Sequence, residues 1–265
     1  RADTNVRSKF NGCSSLTSID LSGWSNTSMI VYFNTMFAGC SKLTSVNMSG
    51  WDTTGLTSMY AMFQNCSSLT SIDVSGWNTS KVTTFELMFQ NCSSLTFVDV
   101  GEWDTSSLTN VHAMFHKCSK LTTVDVSNWD TSKVTNMSSM FSNCYVLVNP
   151  PVENIDTSSL IYANSMFAGC IGITELDLKH FDMSKVNSVN SMFSDTRVLQ
   201  TLDITGWNLE SLQVASLLFA YDSNLETIKG LSDIPFGELT DFFAMFYSCA
   251  KITELDLTNM HTGSA

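Results

Sequence analysis

Proline is nearly missing from this chain, with three residues in 265. Proline removes a backbone donor, so its scarcity leaves almost every residue free to join a hydrogen-bonded array. Charge is scarce as well. Only 14% of residues are charged, and the shortage falls on the basic side: 13 Lys and Arg stand against 25 Asp and Glu, for a formal net charge of −12. Phosphate recognition needs a basic footprint, so nucleic acid is excluded as a partner. Anionic membrane surfaces are disfavoured for the same reason. Long apolar runs are lacking: stretches such as Met29 to Phe33 fall far short of the ~20 residues of a spanning helix, so direct membrane insertion is not expected. There is no Cys-x-x-Cys, no Gly-rich phosphate loop and no Ser/His/Asp or Cys/His constellation. No metal, cofactor or catalytic residue is therefore expected, and the chain does not read as an enzyme. No signal-peptide pattern opens it, and a start at Arg1 reads as a mature or partial chain.

What is present is repetition. Phe10, Phe37, Phe63, Phe89, Phe115, Phe141, Phe167, Phe193, Phe219 and Phe246 follow one another at steps of 26 or 27 residues. Self-similarity at this period marks a solenoid, in which each repeat buries its apolar face against its neighbours. An unbroken period predicts one elongated domain over 1–265, with a short leader over 1–9, repeats from about 10 to 260 and no evident capping modules.

Each repeat carries two apolar rhythms. Leu69, Ile72 and Val74, like Leu121, Val124 and Val126, end in a period of two and predict a short strand. Val134, Met137, Met140 and Phe141, like Leu108, Val111, Met114 and Phe115, follow a helix-like spacing. Asp-Thr-Ser precedes them (Asp104 to Ser106, Asp130 to Ser132), residues suited to turns and helix N-caps. The expectation is an α/β solenoid of about ten 26-residue coils, right-handed, with parallel strands such as Leu69–Val74 and Leu95–Val100 on one face and short helical or 3-10 segments around the Met-Phe pairs on the other.

The unit Cys-x-x-Leu-Thr-x-Ile/Val-Asp-x-Ser-x-Trp-Asp-Thr-Ser-x-Val-Thr-x-Met-x-x-Met-Phe resembles the BspA-like branch of the leucine-rich repeats. It is also similar to the repeats of mycoplasma-type surface lipoproteins. The resemblance covers nearly the whole chain. It implies a secreted or cell-surface microbial protein engaged in adhesion or binding, and it carries no catalytic residue to transfer. The pattern departs at Asn149-Pro150-Pro151, at Lys229-Gly230 and at Pro235, where ladder bonding is expected to falter.

Several columns invite a functional reading and receive a structural one. Cys13, Cys40, Cys66, Cys92, Cys118, Cys144 and Cys170 continue as Thr196, break near Ser223 and resume at Cys249; they are expected to be buried free thiols acting as small apolar fillers. Trp24, Trp51, Trp77, Trp103, Trp129 and Trp207 could form a sugar-binding platform, but Ile155 and Phe181 occupy the same position, which predicts internal stacking. His112 and His116 stand at metal-ligand spacing without a third ligand and read as a surface pair.

The outward strand positions remain. Thr17, Thr44, Thr70, Thr96, Thr122, Thr174 and Thr253 form one row. A second is mostly hydroxyl-bearing, with Thr123, but is interrupted by Phe97, Glu175 and Glu254. A third is acidic: Asp20, Asn47, Asp73, Asp99, Asp125, Asp177, Asp203 and Asp256. Stacked carboxylates repel by about 1 kcal/mol per pair in water, so Ser and Thr donors, nearby Lys179 and Lys229 or bound cations must relieve them. The candidate binding face is Asp73, Phe97, Asp99, Thr123, Asp125, Glu175 and Asp177. It would take a protein or glycan, basic or cation-bridged, in a non-enzymatic extracellular or surface module. The second reading is a structural subunit or spacer of a larger surface assembly. Ice or mineral binding through the Thr and Asp rows is the third.

Overall fold

The computed structural model describes residues 5–236 and 239–260. The chain winds into stacked coils, each placing its repeat directly over the last. Four short strands are fully formed: β1 (Ser18–Asp20), β2 (Ser45–Asn47), β3 (Thr201–Asp203) and β4 (Thr227–Lys229). β1 pairs with β2 and β3 with β4, both parallel, in registers Ser18↔Ser45 and Thr201↔Thr227.

Between these pairs the expected sheet is thinner than its sequence suggests. Segments 69–74 and 95–100 keep the strand alternation, with Leu69, Val74, Leu95 and Val98 fully buried and Thr70, Asp73, Thr96 and Asp99 exposed. Yet successive coils here are joined by sparse main-chain bonds, Thr96 N–H to the Thr70 carbonyl (3.1 Å) and Thr122 N–H to the Thr96 carbonyl (3.2 Å). The threonine hydroxyls reinforce them: Thr96 and Thr122 Oγ1 donate to the same two carbonyls at 3.3 and 3.1 Å. The Thr row thus spends its hydroxyls on holding coils together.

The opposite face corrects the helical expectation. Among the described residues the helices are 3-10 turns over Thr27–Met29 and Leu231–Asp233, neither of them at a Met-Phe pair. The Met-Phe segments instead form consecutive tight turns, such as Met36 N–H to the Phe33 carbonyl and Cys40 N–H to the Phe37 carbonyl, both 3.0 Å. The alternate donors point along the stack: Phe33, Thr35, Phe37 and Gly39 N–H reach the Ser58, Tyr60, Met62 and Gln64 carbonyls at 2.7–3.0 Å. A parallel bridge ladder runs Tyr32, Ser58, Thr84, Asn110, Asn136, Tyr162, Ser188, Val214, Asp241. An α-helix would have consumed those donors internally; turns release half of them to the next coil. The cost is a left-handed residue in each repeat. Thr35, Ala61, Leu87, Ala113, Ser139, Ser165, Ser191, Leu217 and Ala244 have φ of 52–60°, each strained by roughly 1–2 kcal/mol.

The core between the two faces is a stack of rings. Phe10 to Phe246 form one column of parallel aromatic rings, with centroid steps of 5.4–6.2 Å. The widest step, Phe141 to Phe167, flanks the coil that carries Asn149-Pro150-Pro151. Tryptophans line a second column, as expected. Trp51, Trp77, Trp103, Trp129 and Trp207 are buried, and the Trp103 and Trp129 indoles donate to the Val74 and Val100 carbonyls at 3.1 and 2.9 Å. Their rings are occupied in the core and offer no sugar platform.

The cysteines are free among the described residues, with six buried, Cys13 exposed and Cys249 half-buried. They are more than filler. Each thiol from Cys40 to Cys170, and that of Cys249, donates to a phenylalanine carbonyl of the preceding coil, as Cys118 does to Phe89 at 3.2 Å. Burial pushes the Cys66 thiol far up and the Cys92 thiol up to about 12, so these groups stay protonated donors and are poor nucleophiles. Alkylation of the native protein should label Cys13 first, and unreduced mass spectrometry should find no bridge among Cys40 to Cys170. Three bridges in that row would reverse the assignment. The break expected near Ser223 falls at Asp222, which is fully buried and whose Oδ1 accepts from Thr196 N–H and Oγ1 at 2.6 and 3.0 Å.

Candidate binding face

All seven candidate residues, Asp73, Phe97, Asp99, Thr123, Asp125, Glu175 and Asp177, are exposed. They fall into two groups. Asp73, Phe97, Asp99, Thr123 and Asp125 lie on three successive coils, with Phe97 48% exposed among the acids. Glu175 and Asp177 lie beyond the coil interrupted by Pro150 and Pro151. They line an open concavity of about 420 Å³ together with Lys179, Thr201, Asp203 and Lys229.

Three of the acidic side chains, Asp73, Asp125 and Asp177, are fixed by their own turns. Asp125 Oδ1 accepts from Ser127 N–H and Oγ at 2.9 and 2.6 Å, and Asp73 Oδ1 from Ser75 N–H and Oγ at 3.3 and 2.9 Å. Asp177 Oδ1 accepts from Lys179 N–H at 3.1 Å, and its Oδ2 pairs with Lys179 Nζ at 3.1 Å. These are Asx turns, in which a carboxylate binds the backbone two residues on. They relieve the stacking repulsion locally. The Ser127 hydroxyl, then its N–H, holds the Asp125 carboxyl below its ordinary range. The Lys179 N–H, then its ammonium, does so for Asp177. Asp125 and Asp177 are thus held in their charged form, each with one oxygen anchored.

A second set of the same turns was hidden in Asp-Thr-Ser. Asp52, Asp104, Asp130, Asp156 and Asp182 accept from the N–H two residues on at 2.8–3.1 Å. The residue between is buried, threonine in four of the five and Met183 in the last, and Thr53 and Thr131 work across coils: Thr131 Oγ1 accepts from Asp156 N–H at 2.8 Å. Cap-like residues in an extended coil make Asx turns in place of N-caps, and a buried, invariantly spaced Thr is the signal that separates the two.

His112 and His116 are half-buried, not a surface pair. His112 Nδ1 lies 2.9 Å from the Ser138 carbonyl, while burial lowers the pKa of His116. Among the described residues no group of three His, Cys, Asp or Glu could hold a metal ion, and no helix is long and apolar enough to cross a membrane.

Overlapping stretches 4–124, 73–176, 113–232 and 172–264 match the family described as Mycoplasma protein of unknown function, DUF285. The chain belongs to that family. DUF285 membership agrees with the likeness of the repeats to BspA-like and mycoplasma-type surface sequences. No curated protein sequence matches this DUF285 chain. Among solved structures it is similar to a leucine-rich repeat protein of T. pallidum, at 22% identity and a TM-score of 0.42 over 63% of this chain and 69% of that one. It is also similar to a leucine rich cell surface protein of Faecalibacterium prausnitzii, at 15% identity and 0.39 over 94% and 83%. A leucine-rich repeat protein of Bacteroides ovatus follows at 16% identity and 0.27 over 92% and 79%. These likenesses are weak, and the repeat-solenoid fold rests on the ladders and ring columns above.

Proposed function

We propose that this chain is a non-enzymatic surface or extracellular binding module, one continuous right-handed array of about ten coils over 1–265, whose strand face engages a basic protein surface. The observation that carries the proposal is the state of the acids. Asp73 and Asp125 have their Oδ1 atoms tied down by Asx turns, Ser127 holds the Asp125 carboxyl below its ordinary range, and with Asp99 between them these acids recur coil upon coil beside the exposed Phe97. A rigid anionic row steers basic partners, and one apolar ring among the charges supplies an anchor. Glu175 and Asp177 add a second acidic contact across the 420 Å³ concavity. Recurrence of the acids argues against catalysis, since a catalytic pair is singular.

The test compares the Asp73→Asn/Asp99→Asn/Asp125→Asn triple variant and Phe97→Ser with the unaltered protein in pull-downs from the native source. Fold and melting temperature should hold, or rise slightly as repulsion is removed. Capture should fall at least tenfold in the triple variant and weaken with added salt. Undiminished capture by both variants would make the array a scaffold or spacer.

A further inference from the structure

The face opposite the strands carries a groove that the acidic row does not explain. One column there is left-handed in every coil: Gly12, Gly39, Asn65, Asn91, Lys117, Asn143, Gly169, Asp195, Tyr221 and Ser248, with φ of 59–75°. Its side chains stand outward as a fence along the stack. At Gly169 the fence has no side chain of its own; the Asn143 amide leans over it, its Oδ1 2.5 Å from where a Cβ would stand, and Ser165, Ala168, Ser191 and Ser194 lie around it. The result is an open groove of about 490 Å³ bounded by Asn143 at one end and by Asp195, Arg197 and Tyr221 at the other.

Its walls combine an ion pair, an amide and an exposed aromatic ring. Arg197 grips Asp195 through two bonds, Nε to Oδ1 at 2.5 Å and an η-nitrogen to Oδ2 at 3.3 Å. The pair is nearly neutral, yet it keeps further guanidinium donors and carboxylate lone pairs. Asn143 adds an amide, with one N–H donating to Ser142 Oγ at 3.0 Å. Tyr221 is 49% exposed and meets Tyr247 edge-on at 5.2 Å. An aromatic residue with positive φ is unfavourable, and this one recovers little of that cost by burial. The frame is rigid: Asn143, Gly169, Asp195 and Tyr221 N–H each donate to the next coil at 2.7–2.8 Å.

We infer that this groove is a binding site for a neutral saccharide, with the Tyr221 ring as the stacking surface and Asn143, Asp195 and Arg197 as hydroxyl partners. Each sugar hydroxyl both donates and accepts, and adjoining amide, carboxylate and guanidinium groups match that alternation. The apolar face of a pyranose ring suits an exposed aromatic ring. A phosphate or sulfate ligand is opposed by Asp195 and by the net charge of −12. A rigid groove avoids the ordering cost of binding. This site is separate from the strand face and does not depend on the protein-binding proposal.

The probes are chitohexaose, laminarihexaose and mannohexaose, titrated against the full chain by calorimetry. Gly169→Asn refills the fence. An added Cβ there would meet Asn143 Oδ1 at 2.5 Å, a side-chain end that can move aside, and Asn accepts the left-handed φ of 71°. Tyr221→Asn removes the ring and leaves a residue the column already uses. At least one saccharide should bind, and each variant should weaken it tenfold or more with an unchanged melting temperature. The Asp73/Asp99/Asp125 triple variant should bind it as the unaltered protein does. No binding of any of the three sugars, or equal binding by both groove variants, overturns the assignment.

Discussion

Replacing Asp222 with Cys should stabilise the protein at pH 7 by up to about 4 kcal/mol and flatten its dependence on pH. Asp222 occupies a position where seven other coils place a thiol donating to a phenylalanine carbonyl. It is fully buried; its Oδ1 is held by Thr196, and its Oδ2 has no partner. Burial pushes its pKa up to about 8, with the charge of Asp195 adding to the rise and the Thr196 bonds opposing it. Cys249 of the following coil is its other titratable neighbour, and the Asp222 charge helps raise that thiol to about 11. An unfolded aspartate titrates near 3.9. The folded form holds its proton more tightly, so stability is fully present below pH about 4 and is lost as pH rises to about 8, by roughly 1.4 kcal/mol per unit of separation. Beyond pH 8 both states are ionised and the loss levels off. Melting temperature measured from pH 4 to 9 should therefore decline in the native protein and stay flatter in Asp222→Cys. Asp222→Asn, whose amide keeps the Thr196 acceptor and puts a donor where Oδ2 is empty, should behave similarly. A native curve without that decline, or no gain from either variant, would remove the protonated carboxyl from the account.

The repeat made the core legible and the backbone only partly so. Columns of Leu, Phe, Trp and Cys announce themselves because one period of 26 fixes which residues stack, whatever conformation joins them. The helical expectation failed because an apolar spacing of three, three and one is shared by a helix and by a string of tight turns. What decides between them is where alternate N–H groups find acceptors, and that depends on a neighbouring coil. The strand expectation was right in direction and burial but generous in bonding, since Thr96 and Thr122 use their side chains where a fuller sheet would use main chain. The break near Ser223 was legible, but the role of Asp222 was not, because it rests on Thr196 of the preceding coil as its hydrogen-bond partner. Both Asx rows were visible as Asp-x-Ser/Thr pairs. Their outward exposure made Asp73, Asp99 and Asp125 readable as surface, whereas the groove at Gly169 is invisible without knowing that its column is left-handed.

Phe115→Ala should cost about 3–5 kcal/mol, the range for emptying a buried aromatic site, and should alter how the array unfolds. The Phe115 ring is fully buried between Phe89 at 5.8 Å and Phe141 at 6.0 Å, in both cases within 5° of parallel. Its loss removes two stacked contacts, each worth about 0.5–1.5 kcal/mol beyond simple burial. The cavity cannot be filled by collapse, because Phe85 N–H to Asn110 and Phe115 N–H to Met140 hold the adjoining coils at fixed spacing. In a solenoid each coil contacts only its neighbours, so a break mid-array weakens one interface while leaving the rest intact. Denaturant unfolding should then separate into two transitions, with proteolysis falling between the Phe89 and Phe141 coils. Phe246→Ala makes the control. That ring is only partly buried and stacks on Phe219 alone at 5.4 Å, so it should cost well under half as much and leave a single transition. Equal losses at Phe115 and Phe246, or one cooperative transition in both, would mean that the column does not transmit stability coil by coil and that the two ladders carry the fold without it.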